Sequence, residues 1–336
     1  MRILIIGGSV FLGRAVAETA LRMHHEVFVL NRGLSHPDVH GVVSIVGDRN
    51  EPETLMQAQS NGPFDLVVDT SGFDPQTVAL SVGMLGAICN HYVFISSVSA
   101  FADWPEQPVT ERSPLLPFSE EQRSYGSLKA ECERVLRAQL GHRLSVLYPG
   151  VLIGPHENVG RLPWWLSRFA QGGRIIHPEL DVPISPIDAR DVADFVLTLA
   201  AEPPSGGGYV VSGVRGEWTL GDLLRLCATV TGTTAKFVSV ADEVLLANEV
   251  EPWSELPFWA PRGVGADGIW STDCSAALGA GLHLRPLSNT VADTWSWMQS
   301  IGAMKDVGRL PAFKEGLGLS VDKEARLFAG SSQLRV

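Results

Sequence analysis

The sequence predicts an α/β chain, a doubly wound parallel sheet followed by a smaller C-terminal lobe. Three observations carry this. Short β-rich runs alternate with helical stretches through the first half, which demands crossover connections and a parallel sheet covered on both faces. An apolar run at 3–6 breaks at Gly7 and Gly8 and gives way to a helical pattern from Phe11. Beyond Gly150 the texture turns to loops, tryptophans and short helices.

The opening "MRILIIGGSVFLGRAV" reads as strand, glycine turn and helix (11–23), the entrance to a dinucleotide-binding βαβ unit. Gly7 and Gly8 can make the turn, and Gly13 lets the helix press against the sheet. Backbone N–H groups of Ser9, Val10, Phe11 and Leu12 would then hold phosphates at the positive end of the helix. Val10 stands where a further glycine is expected, which is tolerable if its side chain points away from the diphosphate.

The next strands are "EVFVLN" (26–31), "VVSIVG" (42–47), "FDLVVDTSG" (64–72), "YVFISS" (92–97) and "RLSVLYPG" (143–150), with helices at 51–59, 75–88 and 125–140. The second strand ends in Asn31 and Arg32, where an NAD-preferring domain places an acid for the ribose 2′-OH. Arginine there favours the 2′-phosphate of NADP, or is a solvated surface residue. Asp48 ends the third strand and reaches the adenine amino group, or is a plain turn aspartate.

In "SYGSLKAE" (124–131), Tyr125 and Lys129 lie four residues apart and share a helix face. The chain has only four tyrosines, so chance pairings are few. A phenol is a poor acid or base at neutral pH, and a neighbouring cation lowers its pKa. Ser96, Ser97 and Ser99 lie at the carboxyl end of a central strand, the edge at which doubly wound sheets bind ligands.

After residue 150 come a helix at 191–201 opened by the charge cluster Asp188, Arg190 and Asp191, a strand at 208–213, and helices at 219–231 and 287–301. Residues 248–270 read as a long ordered loop, and a short helix is expected after Ser320. The net charge of −11 argues against nucleic-acid and anionic-membrane partners. Four scattered cysteines without a C-x-x-C indicate neither disulfides nor a metal site. No signal-peptide pattern opens the chain, and no apolar run approaches the ~20 residues of a bilayer span. A reduced cytoplasm is the expected setting.

"GGSVFLG", "FISSVSAF", "YGSLK" and "YPGVLIGPHE", in this order and spacing, resemble the extended short-chain dehydrogenase/reductase superfamily, in its NAD(P)-dependent epimerase/dehydratase branch. The likeness covers roughly residues 1–300 and is greatest to bacterial isoflavone-reductase-like proteins. The resemblance implies a Rossmann-type NADP-binding domain (1–150), a substrate-binding lobe (151–307) with some segments packing back on the sheet, and a tail (308–336). It implies that Ser97 is the catalytic hydroxyl and Tyr125 the general acid/base. Lys129 would lower the tyrosine pKa and hold the nicotinamide ribose, and Pro149 and Gly150 would lie beside the nicotinamide. Arg49, Thr70, Ser71, Ser96 and Val151 complete the expected cofactor-binding set. Dimerisation through helices near 75–88 and 125–140 is common in this family.

Departures from the family pattern narrow the function. Tyr148 replaces an arginine, and Val98-Ser99 replaces the Asp-Glu pair of sugar dehydratases. The Asn-x-x-Gly-Thr of nucleotide-sugar epimerases is absent from 75–88. Arg161, Arg168, Arg174 and Arg190 are candidates to meet a sugar-nucleotide diphosphate. "PWW" and "PWSELPFW" instead give the second lobe an aromatic character suited to a neutral, ring-containing small molecule. Ser99, Arg161, Trp165 and Trp253 are the substrate candidates, with one of Trp164 and Trp165 in the core and the other facing the pocket. His156 after "GP" is a further residue within reach. The expected activity is hydride transfer from NADP(H), preferred over NAD(H), to a carbonyl or iminium carbon. An NAD-dependent nucleotide-sugar epimerase and a non-catalytic NADP-binding relative are the alternatives.

Overall fold

A computed structural model describes residues 1–35, 38–202, 206–263, 265–304 and 316–331. The chain runs β1 (Arg2–Ile6), α1 (Phe11–Arg22), β2 (Glu26–Asn31), β3 (Val43–Val46), α2 (Pro52–Ser60), β4 (Phe64–Asp69), α3 (Pro75–Leu85), β5 (Cys89–Ile95), α4 (Tyr125–Leu140) and β6 (Leu144–Pro149). Then follow β7 (Leu152–Ile153), α5 (Arg161–Gln171), β8 (Arg174–His177), β9 (Pro183–Ile184), β10 (Ile187–Asp188), α6 (Ala189–Ala201) and β11 (Gly207–Val211). The remainder is β12 (Trp218–Thr219), α7 (Leu220–Thr231), β13 (Lys236–Ser239), α8 (Asp242–Ala247), α9 (Ser275–Gly279), α10 (Leu287–Ser300) and α11 (Val321–Ser331).

Seven strands form one sheet in the order β11-β6-β5-β4-β1-β2-β3, with every pairing parallel. The apolar run of β1 explains itself here, because alternate residues serve opposite faces. Ile3 and Ile5 pack in the layer that holds Val16 and Ala20 of α1 and Val192 and Val196 of α6. Leu4 and Ile6 pack with Leu55, Val82 and Leu136 from α2, α3 and α4. The sheet is thus covered on both sides, as the Rossmann-type reading requires.

Contacts divide the chain into two compact units. The first joins Met1–Leu152, Pro186–Gly213 and Ser271–Leu284; the second joins Ile153–Ser185, Val214–Trp270 and the described part of Arg285–Val336. Two segments after residue 150 thus belong to the first unit. β11 pairs with β6 as the seventh strand, Gly207 opposite Ser145, and the apolar face of α6 completes the layer shared with α1. Residues 305–315, which span the expected start of the tail at 308, lie outside the described residues.

In the second unit, Trp165 is fully buried and its Nε1 donates to Pro257 O at 2.9 Å. Trp164 is buried too, stacked edge-on at 4.7 Å. Trp165 is therefore a core residue and not a substrate contact, and neither indole of the pair is left for a pocket. β8 and β13 pair in parallel, an element pair the sequence reading did not contain. The segment 248–270 holds only turns and isolated bridges among its described residues. Arg168 pairs with Glu324 at 2.8 Å and Lys323 with Glu255 at 2.5 Å, tying α11 into this unit.

Candidate functional site

The loops after β1, β4, β5 and β6 leave the same edge of the sheet. Strand order reverses between β1 and β4, the switch point at which such sheets bind ligands. Gly7 makes the first turn with φ +93°, a conformation L side chains rarely adopt. Thr70 braces it, its hydroxyl lying 3.0 Å from both the Ile6 and Gly7 carbonyls. A Cβ at Gly13 would stand 2.1 Å from Gly7 O, so glycine is what lets α1 seat on the turn. Gly8 serves packing and not the turn, since its φ is not positive and a Cβ there would meet Val29 at 2.8 Å.

Val10 occupies the N-cap position of α1, and its side chain packs on the apolar layer of Ile3, Ile5 and Val16. No side chain caps the helix and no acid lies in its first turn. Arg14 is the first residue to bond back, to Val10 O at 3.3 Å. The N–H groups of Phe11, Leu12 and Gly13 are thus the donors a helix N-terminus offers an anion. Phe11 carries φ +39°, and such strain tends to gather at functional sites. Ser9 is buried at the turn. Asn31 donates to Asp38 at 2.6 Å and accepts the Gly33 N–H at 2.7 Å. Arg32, between them, is exposed with no hydrogen bond or ion pair among the described residues.

Two expected cofactor contacts are differently employed. Arg49 is buried, bonded to both oxygens of Asp69 at 2.8 Å and to Ser81 at 3.0 Å. Burial alone would lower its pKa, but the Asp69 carboxylate outweighs that and raises it. Arg49 is therefore a structural ion-pair partner, and its role is to hold Asp69. Asp69 is fully buried. Burial pushes its pKa up, and Arg49 more than reverses this, so it stays charged. It accepts the Tyr92 hydroxyl and the Ser71 N–H, each at 3.0 Å, and so fixes the turn of Thr70 and Ser71. Asp48 accepts from the Asn50 N–H and side chain at 2.9 Å, the turn role that was its plainer alternative.

At the end of β5, Ser96 is buried and its Oγ has no hydrogen-bond partner, an orphan that asks for a ligand atom. Ser97 Oγ accepts the Ser99 N–H at 3.1 Å. The first turn of α4 sits directly on this segment, because a Cβ at Gly126 would lie 1.8 Å from Ser99 O. Reciprocal capping between Ser124 and Ser127 sets where α4 begins. These contacts bring Tyr125 to Ser97, whose hydroxyl offsets part of the rise that burial gives the phenol pKa.

Lys129, expected to lower this pKa, has no part in the shift. The Lys129 ammonium is committed elsewhere, donating to Ile95 O at 2.8 Å. It lies 4.5 Å from the Phe73 ring centroid and 4.9 Å from that of Phe94. Only 2% of the residue is exposed. Burial brings its pKa down to about 8, against the opposing pull of Asp69.

Pro149 and Val151 are buried after β6, and the Gly150 N–H donates to Val211 O at 3.0 Å. Tyr148 turns away from this edge, its hydroxyl donating to Glu133 on α4 at 2.7 Å. In the second unit the Arg161 guanidinium lies 5.1 Å over the Trp253 ring, and His156 packs on Trp297 at 5.0 Å. The sequence reading missed Asp69, Phe73 and Gly126. An acid closing the apolar strand "FDLVVD" was the available signal for the first.

The model of the NAD dependent epimerase/dehydratase family matches residues 3–212. The chain is 24% identical over 251 residues to the chloroplast stem-loop binding protein of 41 kDa b of Arabidopsis thaliana, covering 69% of this chain and 63% of that one. It is 30% identical over 139 residues to 2'-dehydrokanamycin reductase of Streptomyces kanamyceticus, covering 41% and 38%. In both cases the match spans less than two thirds of the relative's length. Among solved structures, the Bordetella bronchiseptica enzyme WbmH in complex with NAD+ superposes with a TM-score of 0.68 at 17% identity, over 90% of this chain and 99% of that one. That likeness is one of fold.

Proposed function

The chain belongs to the NAD dependent epimerase/dehydratase family, and within it we propose an NADPH-dependent reductase acting on a carbonyl or iminium carbon of a small, ring-containing metabolite. The observation that carries this is Tyr125 beside Ser97, above a charged Lys129, at the switch-point edge of the sheet. The residues fit a dinucleotide. The uncapped N-terminus of α1 supplies three N–H donors for the diphosphate, Gly7 and Gly13 keep the turn close, and the orphaned Ser96 Oγ needs a partner. Arg32 is free to meet a 2′-phosphate. When bound, the nicotinamide supplies the hydride.

This chain's own groups handle the proton. A phenol keeps its proton at neutral pH, so Tyr125 enters the reductive direction as the proton donor. Ser97 orients the accepting oxygen or nitrogen, and Tyr125 protonates it. The Streptomyces kanamyceticus relative is itself named a reductase, which supports this direction. Three of the four arginines that a nucleotide diphosphate could meet are engaged elsewhere, which speaks against an epimerase. Arg168 is paired with Glu324, Arg190 with Asp188, and Arg174 lies over Phe328. A homodimer through α3 and α4 and a small-molecule partner remain part of the proposal.

Titration with NADPH and NADH, followed by tryptophan quenching, tests the cofactor, and net NADPH consumption separates a reductase from an epimerase. Tyr125→Phe is expected to cut turnover by about 10²–10⁴-fold with NADPH affinity unchanged. Retained turnover would sink the catalytic assignment.

A further inference from the structure

Among the described phenylalanines, tyrosines and tryptophans, only two are exposed, Phe73 at 52% and Tyr125 at 51%. They are neighbours, with centroids 6.3 Å apart and planes inclined by 38°. A large apolar ring left in water beside a site residue forgoes the stabilisation that burial brings, which a ligand laid on it would supply. Resting on the reductase reading above, we propose that Phe73 is a specificity-determining wall of the site. Its ring packs on the face of a cyclic substrate whose reacting atom meets the Tyr125 phenol, so ring-shaped substrates are favoured over open-chain ones.

The placement is built. Gly72, just before Phe73, is pressed so close to the core that a Cβ there would stand 2.6 Å from the Phe94 ring. Asp74, just after it, caps α3 by accepting the Gln76 and Thr77 N–H groups. The same Asp74 carboxylate is paired with Arg123 at 2.9 Å, two residues before Tyr125. The two exposed rings therefore stand on backbones that an ion pair ties together. One face of the Phe73 ring is committed to the Lys129 ammonium, which leaves the rest of the side chain for a ligand. An aliphatic ring laid on an aromatic one gains contact area along its whole face, whereas an open chain must first be ordered.

The test compares kcat/KM for cyclohexanone and 2-hexanone, ketones of equal carbon number, with NADPH. The wild type should prefer the cyclic ketone. Phe73→Leu should lower that preference by about 2- to 10-fold, and Phe73→Trp should retain it. NADPH affinity should be the same in all three proteins. Equal use of both ketones by the wild type, or a ratio unchanged in Phe73→Leu, would overturn the inference and leave the reductase reading standing. A shift of the pH profile in Phe73→Leu with an unchanged ratio would assign Phe73 to holding Lys129 and also overturn it. Wild-type protein that binds NADPH and reduces neither ketone would instead bring down the reductase reading and the wall with it.

Discussion

An ammonium group buried between two phenyl rings and bonded to one carbonyl sits close to losing its proton at working pH. Lys129 has a folded-state pKa of about 8, lowered by burial from its ordinary 10.5. Its charge is therefore present below pH 8 and lost as pH rises through that value. Tyr125, shifted upward, keeps its proton across the same window. The rate of carbonyl reduction should accordingly be flat below pH 7 and fall above pH 8, and Lys129→Arg should move the falling limb upward; a kcat/KM–pH profile checks both. Arg32→Ala should weaken NADPH by about 10-fold or more, the loss of a charge-assisted contact, with NADH little changed, as parallel titrations would show. That Tyr125 and Ser97 come together was legible because their short motifs place one at the start of a helix and the other at the end of a central strand. The Arg49 ion pair was not legible because its partner, Asp69, closes β4 in a separate stretch of chain, and an ion pair between distant positions leaves no local periodicity to read.

Secondary-structure elements meet at this site through absent side chains. Gly13 lets α1 seat on the turn after β1, and Gly126 does the same for α4 on the segment after β5. Gly126→Ala places a methyl group 1.8 Å from a backbone oxygen, which the start of α4 can relieve only by moving away. A loss of about 1–3 kcal/mol in stability is expected from such overpacking, measured by denaturant unfolding. Turnover should fall more than NADPH affinity, since the shift displaces Tyr125 while leaving α1 in place. The strands and helices of the first unit were legible because buried parallel strands are continuous apolar runs and their helices keep a 3.6-residue period. The pairing of β8 with β13 was not, because each strand is four residues long and their register is set only once the chain between them has folded.

For the whole molecule, the sequence showed where the texture changes, and the resemblance implied that some segments return to the first unit, but not which ones. β11 and α6 are ordinary amphipathic segments whose partners, β6 and α1, only the fold brings to them. The two units also respond differently to acid. In the first, Asp69 is held charged by Arg49, and its contribution is lost as pH falls through its depressed folded pKa. In the second, Glu157 lies fully buried at the start of α5, accepting the Arg161 N–H at 2.7 Å and the Leu162 N–H at 3.3 Å. Burial pushes its pKa up to about 7, from an ordinary 4.5. The folded state then binds more protons than the unfolded one between these values, so the Glu157 contribution weakens as pH rises from 4.5 to 7, by about 3 kcal/mol in all. Buried His91, whose pKa burial lowers from 6.5 to about 4, acts with the opposite sign in the same window, so the wild-type Tm should rise less steeply with pH than that of Glu157→Gln.

The same carboxyl makes folding an acid–base reaction with the medium. At pH 6 an unfolded chain presents Glu157 largely as the anion, and the folded chain presents it largely as the acid. Each molecule that refolds thus takes up most of a proton at Glu157 and gives most of one up at His91, whose pKa burial lowers from 6.5 to about 4. The heat measured on refolding therefore carries the ionisation enthalpies of both side chains.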